Sequence, residues 1–63
     1  MGEVIVGINS SGEVRAIFCI DTPKDERDSE KVAARWVREG RTVQRCSVEH
    51  ANAVIGKQWT EPA

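Results

Sequence analysis

Residues 3–20, Glu3-Val4-Ile5-Val6-Gly7-Ile8-Asn9-Ser10-Ser11-Gly12-Glu13-Val14-Arg15-Ala16-Ile17-Phe18-Cys19-Ile20, decide the fold. Along residues 3–9 the side chains alternate, with Val4, Val6 and Ile8 pointing one way and Glu3, Ile5, Gly7 and Asn9 the other. Asn9-Ser10-Ser11-Gly12 then reads as a loop, because Gly12 tolerates the positive φ that reverses a chain tightly. Residues 13–20 alternate again, with Val14, Ala16, Phe18 and Ile20 on one face and Arg15, Ile17 and Cys19 on the other. The reading is a β-hairpin. Composition agrees: there is no Leu, and eight Val and five Ile supply the branched side chains that suit a pleated surface.

Downstream, Asp21-Thr22-Pro23 ends the second strand and opens a helix, with Thr22 as N-cap and Pro23 at the first helical position. Asp25 and Glu26 then sit at the positive end of the helix dipole. Asp28 is an alternative cap. Val32, Ala33, Trp36 and Val37 recur at helical spacing, and Gly40 supplies the stop, so the helix is expected over 23–39. Residues 41–47 read as a third strand, with Val43 on one face and Cys46 on the other. A right-handed crossover makes this strand parallel to the second and leaves the first between them, in sheet order 2-1-3. Ser47 caps a short helix over 48–55 through Val48, Ala51, Val54 and Ile55, and 57–63 is a tail carrying Trp59. The expected fold is therefore α+β, β-β-α-β plus a short C-terminal helix, in one small domain spanning 1–63. The main helix is expected to cover the face bearing Val4, Val6, Val14, Phe18 and Ile20.

Size and charge exclude several function classes. A chain of 63 residues buries only ~60% of its unfolded surface, which leaves no room for a second domain. Nine Lys+Arg against ten Asp+Glu give a net charge of −1, so no bulk charge draws the whole chain to nucleic acid or membrane. The longest apolar run, Ala16 to Ile20, is far short of a membrane span or a signal-peptide core. Met1-Gly2 opens like an N-myristoylation signal, but Val6 stands where that signal needs Ser or Thr. Two cysteines do not make a disulfide framework, and a cytoplasmic location is expected.

No catalytic or metal-binding set emerges. Cys46 and His50 stand four apart, a spacing that pairs side chains only on a shared helix, and Cys46 falls on a strand. Cys19, Cys46 and His50 are one ligand short of a structural zinc site and lack its tight spacing. No enzyme activity and no cofactor are expected.

Two surfaces stand out instead. On the main helix Lys24, Arg27, Lys31, Arg35 and Arg38 fall within an arc of about 80° opposite the apolar stripe. Read functionally, this is an anion-facing stripe for nucleic acid or an acidic protein; read structurally, it is a solvated face neutralised by its neighbours Asp28, Glu30 and Glu39, with Asp28–Lys31 and Arg35–Glu39 pairs. The second surface is the sheet face left bare by the main helix, bearing Ile5, Ile17 and Cys19. Either the final helix and Trp59 fold over it, or it serves as a protein interface together with Trp59, including for a homodimer.

The order of Val4-Ile5-Val6-Gly7-Ile8, Gly12, Ala16-Ile17-Phe18, Thr22-Pro23 and Trp36 to Val43 resembles a loose group of small phage- and prophage-encoded accessory proteins of ββαβ layout. Anti-CRISPR inhibitors are among them. The likeness covers about two-thirds of the chain and lies in layout, with no diagnostic motif, so it transfers no functional residue. It implies a non-catalytic protein-binding or inhibitory module acting on a host macromolecule in the host cytoplasm. The alternative is a nucleic-acid-binding accessory protein using the basic stripe. No membrane partner is implied.

Overall fold

A computed structural model describes residues 2–62; Met1, which opens the Met1-Gly2 start, and Ala63, the last residue of the 57–63 tail, lie outside the described residues. Five elements follow the chain: β1 (Glu3–Ile8), β2 (Val14–Ile20), α1 (Pro23–Arg38), β3 (Thr42–Ser47) and α2 (Val48–Val54). The three strands form one sheet in the order β2-β1-β3, and β1 pairs antiparallel with both neighbours. The α+β layout expected from the sequence is the one observed.

Local chemistry explains each boundary. Asn9 Oδ1 accepts from the backbone N–H of Ser11 and Glu13, which holds the hairpin loop while Gly12 turns at φ 84°. Thr22 caps α1 through a reciprocal pair: its hydroxyl accepts from Asp25 N–H and the Asp25 carboxylate accepts from Thr22 N–H. Gly40, at φ 89°, closes the helix, with its N–H donated to the Val37 carbonyl and the Arg41 N–H to that of Trp36. These two bonds satisfy carbonyls the helix would otherwise leave open. Ser47 caps α2 by accepting from His50 N–H.

The core lies in two layers, one on each face of the sheet. Ile5, Ile20 and Trp36 form the α1-side cluster, with Ala16, Phe18, Val32, Ala33 and Val43 packed against it. Val4, Val6, Ile8, Val14, Cys46, Ala51 and Val54 form the α2-side cluster, with Ile17, Val48 and Trp59 packed against it. The face expected under the main helix is therefore divided: Phe18 and Ile20 do lie under α1, whereas Val4, Val6 and Val14 lie under α2. The cause is register. Ile5 pairs with Phe18 and Val6 with Ile17, so odd-numbered residues of β1 share a face with even-numbered residues of β2. A bulge at Gly7/Ile8 then makes Val14 the partner of Ile8 and returns it to the other layer.

Candidate functional site

Each surface singled out in the sequence has a definite place in the fold. Ile5 is buried against Trp36 and is removed from the proposed interface by the register just described. Ile17, Cys19 and Trp59 do share the opposite side, but that side is closed. α2 lies over it, and Ile17 and Trp59 pack on the buried cluster beneath. Cys19 alone of the four is exposed.

The tail is tied down by backbone and side chain together. Gly56 N–H donates to Val14 O at 2.9 Å, Val14 N–H to Lys57 O at 2.9 Å, and Trp59 N–H to Gly12 O at 2.8 Å. The first two bonds occupy the open edge of β2 at its first residue, Val14, and the third reaches the hairpin loop. Gln58 adds a side-chain bond to Ser11 O at 3.0 Å. The Trp59 ring meets His50 edge-on, with centroids 5.1 Å apart, and His50 Nε2 lies 2.6 Å from Thr60 O. Trp59 is thus a plug that fastens the tail.

The five basic residues of α1 are all exposed. Among the described residues none of them has a carboxylate within 4.0 Å; Glu26 and Glu39 pair elsewhere, and Asp28 and Glu30 form no ion pair. Glu39, expected to pair with Arg35, holds Arg41 instead. Glu26 is held by Arg45, whose Nη1 and Nη2 donate to its two oxygens at 3.0 and 2.9 Å. The neutralising pairs expected for the stripe, Asp28–Lys31 and Arg35–Glu39, are not formed. Val37, expected on the apolar stripe, is instead 61% exposed, and Ser29 takes a buried place with its hydroxyl donating to Glu26 O at 2.7 Å.

The Arg45 cluster escaped the sequence reading. Arg45 also donates from Nε to Glu3 at 2.8 Å, joining β1, β3 and α1 across 42 and 19 residues of chain. The nearest signal is diagonal placement, since Arg45 pairs with Ile5 and Glu3 is two residues along on the same face. Contact with this guanidinium holds the Glu26 carboxyl below the usual carboxylate range, and Glu26, then Glu3, push Arg45 up. Beside the cluster is an open recess of about 380 Å³ lined by Glu3, Ile20, Asp21, Thr22, Pro23, Glu26 and Arg45. Its one cation is already shared between two carboxylates.

Cys46 is buried under α2, and burial pushes its thiol pKa up, away from the thiolate a nucleophile needs. His50 is engaged with Thr60 and Trp59. Cys19 and Cys46 both pair with Val4, on opposite sides of it, so two strand steps of ~4.8 Å separate them and both thiols are free. Among the described residues no group of three or more His, Cys, Asp or Glu is placed to hold a metal ion. No helix among them is long and apolar enough to cross a membrane. Comparison of the chain with protein families, with curated proteins and with solved structures returns no match.

Proposed function

We propose that this chain is a non-catalytic protein-binding module, inhibitory in the manner of small phage-encoded accessory proteins, that meets its partner with the solvent face of α1. The observation that carries the reading is the row Lys24, Arg27, Lys31, Arg35 and Arg38, exposed and without carboxylate partners among the described residues. Like charges three and four apart on a helix destabilise it by a few tenths of a kcal/mol per pair. A face kept in that state is suited to an external anion. Association through the sheet, the other surface the sequence offered, would require α2 and Trp59 to leave the core.

The test is affinity capture from nuclease-treated bacterial lysate on immobilised protein, wild type beside Arg27→Glu/Lys31→Glu/Arg35→Glu. One protein retained by the wild type and absent from the variant is expected, with retention falling as salt rises. Equal retention by the variant would overturn the reading. Retention that disappears with the nuclease would put nucleic acid in place of protein.

A further inference from the structure

We propose that the occupant of the α1 face is an acidic amphipathic α-helix of the partner protein, an inference that rests on the basic face being the contact surface. The spacing of the row is three, four, four and three residues, which at 1.5 Å per residue sets charges about 4.5 to 6 Å apart over about 21 Å. A second helix bearing carboxylates at the same repeat meets this row rise for rise. Beside the row lie Ala34 and Val37, both exposed, three residues apart and so neighbours on the helix surface, with Glu30 one turn before Ala34 on the same side. Val37 is 61% exposed, the most exposed large apolar side chain of the described residues. A short apolar row flanked by a charged one is one half of a helix–helix seam: small residues let the axes approach, and the flanking charges select the partner.

The same face is poorly made for a polynucleotide. α1 contains no Asn, Gln or Thr, and its one Ser is buried, so it exposes no uncharged polar group, and base contacts there are limited to what Arg and Lys make with guanine. No aromatic residue borders the row to stack a base, since Trp36 is in the core. Asp28 flanks the row on one side, and Glu30 lies beyond Ala34 on the other. Outside the row only four basic residues face ten acidic ones, so the positive surface is confined to this one row about 21 Å long, the length of a short helix.

The experiment is an NMR titration of the whole protein with three probes. These are a synthetic helical peptide with glutamates at the row's own spacing and leucines beside them, a scrambled peptide of identical composition, and a short DNA duplex. The helical peptide should shift α1 amides and bind about tenfold more tightly than either other probe. Arg27→Glu/Lys31→Glu/Arg35→Glu should abolish that binding while keeping a dispersed native spectrum, and Val37→Ser should weaken it about fivefold. Equal binding of the scrambled peptide, or no effect of Val37→Ser, overturns the helical partner and leaves the basic face standing. Tighter binding of the duplex, lost in the triple variant, overturns the protein partner. Probe binding that the triple variant leaves unchanged, or no shift in α1 with any probe, overturns the inference and the basic-face reading together.

Discussion

One face of the sheet is closed by a single sixteen-residue helix, the other by a seven-residue helix and an extended tail. The longer cover does not make the deeper core. Val4, Val6 and Val14, the largest fully buried side chains, all lie on the α2 side, whereas the α1 side depends on one large residue, Trp36, set over Gly7. A short helix buries little by itself. It succeeds here because the chain continues past it, bonds to Gly12 and to Val14 at the start of β2, and places the Trp59 ring at the margin. α1 in turn needs only one narrow side against the sheet, which leaves its basic side entirely to solvent.

The contrast can be broken most severely at Trp36. Trp36→Ala should cost about 3–5 kcal/mol, the range for a buried aromatic. Domains have roughly 0.05–0.15 kcal/mol of stability per residue, so urea titration followed by circular dichroism should find the variant largely unfolded. A native-like midpoint would show that the α1 layer is not the support described here.

Gly7→Ala probes the same layer more gently. A Cβ at Gly7 would stand 3.1 Å from Cε3 of the Trp36 ring and 3.2 Å from Cδ of Arg41. The arginine stem moves aside readily, but the ring is wedged in the core, so about 1–3 kcal/mol of destabilisation is expected. Trp59→Ala tests the other face. Its ring is only partly buried, so about 1–2 kcal/mol should be lost, with faster amide exchange at Val14 and Gly56, the residues tied across to the tail. A loss as large as that of Trp36→Ala would mean that the tail belongs to the cooperative core and is no mere fastening.

The two cysteines offer the smallest perturbation. Both lie beside Val4 on the α2 side, yet Cys19 is exposed while Cys46 is buried with its thiol pushed up. A thiol reagent at neutral pH should therefore modify Cys19 rapidly and Cys46 only as fast as the α2 layer opens. Because the Cys46 pKa is raised in the folded state, burial of the neutral thiol favours folding below the ordinary thiol pKa of 9.0. That contribution is lost as pH rises through the folded value. Comparable rates for both cysteines would show that the α2 cover is loose.

Much of this architecture was legible in the residues because it depends on short-range chemistry. Thr22-Pro23 with Asp25, Gly40 after a helical period, Ser47 before Val48, and the Gly12 loop each set a boundary through bonds within a few residues. Those signals also place the five basic residues on the solvent side of α1, since 100° per residue follows from helix geometry alone. The assignment of β1 to its two layers was not available in the same way. Val4, Ile5, Val6 and Ile8 are all apolar, so alternation does not say which of them meets α1. Pairing register decides it, and a slip of one residue exchanges the two faces. The Arg45–Glu26–Glu3 cluster and the docking of Trp59 likewise depend on groups far apart in the chain. Local sequence determined which elements form and which helix side is charged, because those follow from bonds between near neighbours. Only the tertiary structure decided which apolar side chains lie together and where Arg45 and Trp59 are held, because these depend on how distant segments meet.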